Sequence, residues 1–229
     1  MELAGLSEPQ LRLSVFAIVF SSMAVLELLH PRLERPELRS ALKRSRWLTN
    51  LGMLVLSSFL LRLVFPMAAV GTALYAQAHG FGLFALIPMG FWTEAILSFI
   101  LLDFAIWAEH VASHKIAFLW RIHRVHHADP GIDVTTALRF HPAEILISML
   151  WKAGLILALG APPEAVLVFE IVLNGAAMFN HANVALPVGI DKVLRYIIVT
   201  PDMHRIHHST NPVETDSNFG FNLSIWDRL

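Results

Sequence analysis

The sequence predicts an all-α integral membrane protein, and three observations support this fold class. Hydrophobic residues make up 55% of the 229-residue chain and charged residues only 15%, whereas soluble domains carry about 25% charged residues. The mean hydropathy is +0.58. Several apolar runs approach or exceed the roughly 20 residues that a helix needs to cross a bilayer. We therefore predict about four membrane spans, including a short helical hairpin, and a histidine-rich helical cap.

The predicted spans follow one another with few interruptions. The first three lie at about 11–29, 47–66 and 91–110. Two shorter apolar runs, at about 143–159 and 164–180, are separated by Gly160-Ala161-Pro162-Pro163, a combination that ends helices. These two runs predict a helical hairpin that either just crosses the membrane or re-enters it. We predict a single domain over 1–229, with N-terminal spans at 1–90 and a histidine-box region at 91–229.

Basic residues predict the orientation of the spans. The segment after the first span contains Arg32, Arg35, Arg39, Lys43, Arg44 and Arg46, whereas residues 71–90 contain no Lys or Arg. Cytoplasmic loops of membrane proteins are enriched in Lys and Arg, so the first loop is predicted to be cytoplasmic and the second to face outward. Arg12, Arg62 and Lys152 do not fit this topology. The alternative, a basic segment that is merely a solvated linker, stays open.

Composition also excludes some classes of function. A net charge of −1 gives no reason to expect nucleic acid as a partner. The absence of cysteine excludes disulfides, thiolate metal sites and a cysteine nucleophile.

Eight of the twelve histidines form three short clusters, HVASH at 110–114, HRVHH at 123–127 and HRIHH at 204–208. On a helix, residues three and four apart share a face, so each cluster presents its imidazoles in one direction. Imidazole is the commonest metal ligand and suits iron, copper, zinc and nickel. Eight imidazoles exceed what one ion can use, so the clusters predict two ions. The ligands are His110, His114, His123, His126, His127, His204, His207 and His208, all on the predicted cytoplasmic side.

The other four histidines have different surroundings. His181 follows the last apolar run, at the depth expected of the clusters, and is predicted to be a ninth ligand. His141 precedes Pro142 and either caps a helix or assists the metal site. His30, at a span end, and His79, in the outward segment, are predicted to be incidental.

The residues around the clusters form an ordered set. It comprises Asp103, LWRIHRVHH at 119–127, ALRFHPAE at 137–144, FNHANV at 179–184 and VTPDMHRIHH at 199–208. This set, from about Asp103 to Leu229, resembles the fatty acid hydroxylase and sterol desaturase superfamily of membrane di-iron oxidases. The resemblance departs at Val184 and Ala185, where some relatives carry a second histidine, so the ligand number there stays open.

The resemblance implies an oxidoreductase that uses O2 to hydroxylate a C–H bond of a fatty acyl, sterol or isoprenoid lipid. It implies that the nine histidines hold two iron ions, although zinc could occupy the site as purified. Electrons would come from an external donor such as a ferredoxin or a cytochrome with its reductase. The expected location is the bacterial inner membrane, or the endoplasmic reticulum of a eukaryote, with the histidine boxes in the cytoplasm.

Carboxylates can hold metal-ligating imidazoles in place by accepting their N–H groups. Asp103 is the first candidate, because a carboxylate within a span is costly and usually functional. Glu109, Asp202 and Asp216 are further candidates.

Three alternatives to a hydroxylase stay open. A desaturase of the same family would share the site. A histidine-rich metal-binding or transport protein would place its histidines near the bilayer midplane. A b-type haem protein would place paired histidines within opposed spans, which contain almost none here.

Overall fold

The computed structural model describes residues 2–3, 5–34 and 41–229, and the side chains of 44–229 in the last of these ranges. Arg35 and Arg39, which support the predicted cytoplasmic loop, therefore lie outside the described residues, and of Lys43 only the backbone is described.

The described chain is mostly helical and contains almost no strand, which confirms the all-α prediction. A two-residue antiparallel hairpin, β1 (Glu2–Leu3) and β2 (Leu6–Ser7), precedes the first helix. Short 3-10 turns lie at Thr136–Leu138 and Trp226–Arg228. The helices are α1 (Glu8–Leu29), α2 (Ala41–Val64), α3 (Ala68–His79), α4 (Leu83–Leu86), α5 (Phe91–Lys115), α6 (Ala117–His127), α7 (Pro142–Leu159), α8 (Pro163–His181), α9 (Val188–Leu194), α10 (Pro201–His207) and α11 (Pro212–Thr215).

Five segments of the described chain are long and apolar enough to cross a membrane: α1, Arg44–Leu86, α5, α7 and α8. They include all five apolar runs of the sequence, which confirms an integral membrane fold. The two hairpin helices have 18 and 19 residues, so each rises about 27–29 Å and nearly matches the roughly 30 Å hydrocarbon core.

The segment predicted to be an outward loop, at 71–90, contains most of helix α3, which packs against α7. Its buried residues are small, with Ala69, Ala73 and Ala76 fully inaccessible to solvent. Small side chains allow membrane helices to approach closely. The prediction that this segment is a loop was wrong. The absence of Lys and Arg predicts on which side of the membrane a segment lies, but it does not indicate whether the segment is helical.

Two glycines bring the α7–α8 turn against the turn after α3. Gly160 ends α7 in the left-handed conformation with φ 70°, and Gly82 has φ 101°. A Cβ on Gly82 would lie 2.0 Å from the Gly160 nitrogen, and a Cβ on Gly160 would lie 2.4 Å from the Phe81 carbonyl oxygen. Only glycine meets both the dihedral and the steric requirement at these positions.

The chain forms two compact units, each built from separated segments. Unit 1 comprises Met1–Asn50, Asp129–Leu138 and Ile171–Leu229, and unit 2 comprises Leu51–Ala128 and Arg139–Glu170. In unit 1, Val134, Ala137 and Met178 form a small core against apolar side chains of α1. In unit 2, α5 packs with α6 and α7, and Phe99 makes an edge-to-face contact with Phe169 at 5.5 Å. The single domain over 1–229 stays a prediction.

A buried polar network in unit 1 holds the loop that follows the second histidine box. Arg46 of α2 forms ion pairs with Asp129 and, at 3.0 Å, with Asp133. Asn50 donates to Asp129 at 3.0 Å, and the Trp47 indole donates to Asp133 at 3.1 Å. Because both carboxylates accept several charge-assisted hydrogen bonds, the network compensates for their desolvation and fixes the loop on α2.

A second buried ion pair lies within the membrane helices of unit 2. The Lys152 ammonium of α7 lies 2.6 Å from a Glu170 carboxylate oxygen of α8, and both residues are buried. This pairing explains why Lys152 does not fit the topology predicted from basic residues. The positive-inside rule describes charges in loops, whereas Lys152 is neutralised by a partner on the next helix.

Replacing Glu170 by Gln is expected to lower the free energy of unfolding by about 1–3 kcal/mol, because the buried ammonium keeps only a neutral acceptor. The double variant K152M/E170L should recover most of that loss, since apolar residues often replace a buried pair without cost. Thermal unfolding in detergent measures both variants. E164Q, in the first turn of α8, is the control, and a double variant less stable than E170Q would contradict the expectation.

Candidate metal centre

Four of the predicted ligands converge where α5 meets α6 in unit 2. The backbone turns at Ile116, which ends α5 and precedes α6 in an extended conformation. The Nε2 atom of His123 lies 3.1 Å from Nε2 of His110 and 3.1 Å from Nε2 of His127. His114 brings one ring nitrogen within 4.8 Å of those of the other three. We call these four residues the α5–α6 histidine cluster.

Three further predicted ligands converge in unit 1. His181 is the last residue of α8, His204 lies on α10, and His208 follows the end of α10. The Nε2 atom of His181 lies 3.1 Å from Nε2 of His204 and 3.2 Å from Nε2 of His208. His181 and His204 are fully buried. We call these three residues the α8–α10 histidine cluster.

The spacing of the nitrogens in both clusters suits a metal ion. Two imidazoles bound at about 2.1 Å and at right angles around one ion have their nitrogens about 3 Å apart. The Nε2 separations of 3.1 and 3.2 Å agree with that geometry. A set of three or more neutral imidazoles without thiolates favours first-row transition metals over Ca²⁺ or Mg²⁺, which prefer oxygen.

Backbone carbonyls fix the tautomer of several predicted ligands. Nδ1–H of His181 donates to the Ala177 carbonyl at 2.7 Å. Within unit 2, Nδ1–H of His126 donates to the Arg139 carbonyl at 3.2 Å. Within unit 1, Nδ1–H of His207 donates to the Ser217 carbonyl at 2.7 Å. A neutral imidazole that donates from Nδ1 carries its metal-binding lone pair on Nε2.

A carboxylate that the sequence did not single out contacts the α5–α6 cluster. Oε1 of Glu144, in the first turn of α7, lies 2.6 Å from Nδ1 of His123. This is the carboxylate–histidine arrangement that orients metal ligands and raises their basicity. Glu144 is 21 residues after His123, and helical spacing does not connect positions so far apart. The sequence signal that could have identified Glu144 is its position in ALRFHPAE, one of the segments that resemble the family.

Replacing Glu144 by Gln is expected to weaken metal binding by about 10–100-fold, because an amide increases the electron density on the imidazole less than a carboxylate does. Titration of the purified metal-free protein with Fe²⁺ against a competing chelator measures the affinity. E164Q, which alters an acidic residue in the first turn of α8, should bind as the wild type does. An E144Q affinity within twofold of the wild type would contradict the assignment.

The two span carboxylates proposed from sequence lie on α5. Asp103 is 2% exposed and lies seven residues before His110, about two helical turns. The Glu109 carboxylate accepts a hydrogen bond from the Ser148 hydroxyl at 3.0 Å. Their roles in supporting the metal site stay predictions.

The remaining predicted residues have other surroundings. Asp202 forms ion pairs with Arg32 at 3.1 Å and Arg205 at 2.6 Å. Asp216 is an exposed residue at the end of α11. His141 caps α7, since its Nδ1 accepts the Ala143 N–H at 3.1 Å; this is the capping role that the sequence left open.

Comparison with known proteins identifies a matching family and several relatives of this chain. The family model described as fatty acid hydroxylase matches residues 95–229. The ornithine lipid hydroxylase OlsE of Rhizobium tropici is 32% identical over 142 residues, covering 62% of this chain and 41% of the relative. Alkylglycerol monooxygenase of Xenopus tropicalis is 31% identical over 136 residues, covering 58% of this chain and 29% of the relative.

Alkylglycerol monooxygenase of Homo sapiens is 30% identical over 141 residues, covering 60% of this chain and 29% of the relative. This chain therefore matches less than half the length of each of these curated relatives. No solved structure matches the chain significantly. The family match covers more than half of the chain and contains all seven residues of the two histidine clusters. The chain belongs to the fatty acid hydroxylase family.

Proposed function

We propose that this chain is an O2-dependent oxidoreductase that hydroxylates a C–H bond of a membrane lipid with two bound iron ions. The observation that carries the proposal is the pair of largely buried histidine clusters, each with Nε2 atoms at metal-ligand spacing and each with a histidine at the end of a membrane helix, α5 or α8. The names of the relatives support it, because one is a lipid hydroxylase and the others are monooxygenases.

Each cluster would hold one ion. His110, His114, His123 and His127 supply the nitrogens of one site, and His181, His204 and His208 supply those of the other. His126 and His207, whose Nδ1 atoms donate to carbonyls, supply further Nε2 ligands. Bound iron would supply the redox chemistry that reduces dioxygen and breaks the C–H bond. Zinc lacks redox chemistry, so a zinc-loaded protein would be inactive.

The residues of the chain have three tasks in this reaction. The carbonyls of Ala177, Arg139 and Ser217 hold the imidazoles in one tautomer. The Glu144 carboxylate orients His123. Six of the nine proposed ligands are buried, which limits access of bulk water and so protects the reaction from uncoupled reduction of oxygen.

The proposed reaction needs reductant from outside the chain. One oxygen atom of O2 enters the C–H bond and the other leaves as water, which consumes two electrons and two protons. A ferredoxin, or a cytochrome with its reductase, would deliver the electrons from the cytoplasmic side. We propose this orientation because Arg32, Arg44 and Arg46 follow the first span whereas residues 71–90 contain no Lys or Arg. The membrane would be the bacterial inner membrane or the endoplasmic reticulum.

Metal analysis and isotope labelling test the proposal. Purified protein should contain two irons per chain and show no haem Soret band. With ¹⁸O2, reductant and membrane lipid extract, the product lipid should gain one ¹⁸O atom. A desaturase would instead give a lipid that lacks two hydrogens and carries no label. A haem spectrum, a protein that binds no metal, or full activity with zinc alone would refute the proposal.

A further inference from the structure

A polar cavity of about 630 Å³ lies in unit 1, beside the α8–α10 histidine cluster, and His208 forms part of its wall. This volume is in the range of small-molecule sites. Its charged lining residues are three arginines and three carboxylates, Arg32, Arg195, Arg205, Asp129, Asp202 and Glu214. We propose that this cavity binds the zwitterionic headgroup of the lipid substrate, a proposal that rests on the proposed lipid oxidation.

Most charges of the lining are already neutralised within the protein. Asp202 is held between Arg32 and Arg205, and Asp129 is paired with Arg46. Neutralised in this way, these residues shape the polar wall and add little net charge.

Two lining residues of opposite charge, Arg195 and Glu214, can still bind charged groups of a ligand. Arg195 pairs with Asp191 through one terminal nitrogen, and 42% of its side chain remains exposed to a ligand; its Nε–H also has no hydrogen-bond partner in the described chain. Glu214 is exposed, and no ion pair of its carboxylate occurs among the described residues. A phosphate or carboxylate would satisfy the guanidinium, and an ammonium would satisfy Glu214. A ligand with both charges fits this pair of residues better than an anion does.

The surroundings of the cavity favour a lipid over a soluble metabolite. Val193, Tyr196 and Ile197, immediately around Arg195, are 65%, 71% and 63% exposed. Leu33 and Ile206 are exposed apolar residues of the lining itself. Exposed apolar patches beside a polar pocket mark contact with a membrane or another apolar partner. A lipid would place its headgroup in the cavity and its chains along this apolar rim.

Native mass spectrometry of the metal-free, detergent-solubilised chain tests headgroup binding without turnover. The probes are dioleoyl phosphatidylethanolamine, which is zwitterionic, dioleoyl phosphatidylglycerol, which is anionic, and dioleoylglycerol, which is uncharged. The wild type should retain the zwitterionic lipid best and dioleoylglycerol least. Free phosphorylethanolamine, added as competitor, should displace the lipid only weakly because it lacks the acyl chains.

Removal of the Arg195 charge and removal of the Glu214 charge are expected to affect lipid binding differently. R195Q should weaken binding of both phospholipids by about tenfold, because each loses a charge-assisted hydrogen bond, and R195K should restore much of it. E214Q should weaken binding of the zwitterionic lipid alone. The control variants K192Q and E34Q alter nearby exposed charges outside the lining and should bind lipid as the wild type does. The unfolding temperature of every variant is measured to verify that it is folded.

Several outcomes would overturn the proposal. These are equal retention of all three lipids, an E214Q variant that binds both phospholipids normally, or displacement by free phosphorylethanolamine at the affinity of the lipid. If R195Q binds lipid normally but requires more of a reduced electron donor for half-maximal reduction, the cavity belongs to donor docking instead. Because the assay uses metal-free protein, lipid binding without hydroxylation would refute only the proposed function. Hydroxylation without headgroup selectivity would refute only this inference.

Discussion

Replacing His123 by Ala is expected to lower product formation by more than about 100-fold and to remove iron from the α5–α6 cluster. His123 is central to that cluster, because its Nε2 atom lies 3.1 Å from those of both His110 and His127. Loss of an outer partner of a metal ligand already costs about 10–100-fold, and loss of the ligand itself should cost more. Iron content per chain and ¹⁸O incorporation into lipid measure the two effects.

The H123A experiment needs controls for folding, because His123 is almost fully buried. H123Q fills more of the space and should also lose iron, while its unfolding temperature stays nearer that of the wild type. H79A removes an exposed histidine outside both clusters and should retain iron and activity. An H123A protein with two irons and normal product yield would refute the ligand assignment.

Replacing Arg46 by Met is expected to lower the free energy of unfolding by about 3–5 kcal/mol, because it leaves buried carboxylates without their cation. Asp129 and Asp133 both lose ion pairs, and the loop after the second histidine box loses its attachment to α2. Unfolding in detergent, followed by circular dichroism, measures the change.

An exposed arginine of the same helix provides the matched control for R46M. R62M should change stability by less than about 0.5 kcal/mol, as exposed substitutions usually do. R46K should recover only part of the loss, since an ammonium cannot reproduce the bidentate contacts of a guanidinium. An R46M variant as stable as R62M would contradict the role of the network.

Local periodicity explains which parts of this protein could be predicted from sequence. Long apolar runs predicted the membrane helices, because a span requires a minimum length of apolar residues. The spacing of His123 and His127, four residues apart, predicted that they share a helix face, and their Nε2 atoms both lie in one cluster. The prediction of His181 as a further ligand came from its depth at the end of a span, and the structure brings it beside His204 and His208.

The sequence by itself determined the class of the protein, its membrane helices and most of the histidines that converge, since these depend on composition and on spacing within one helix. Only the tertiary structure decided which distant residues meet. Glu144 meets His123, Lys152 meets Glu170, and Arg46 meets Asp129 across 83 positions of sequence. Such pairs depend on how helices pack, because a buried charge is stable only beside its partner and no local pattern identifies that partner.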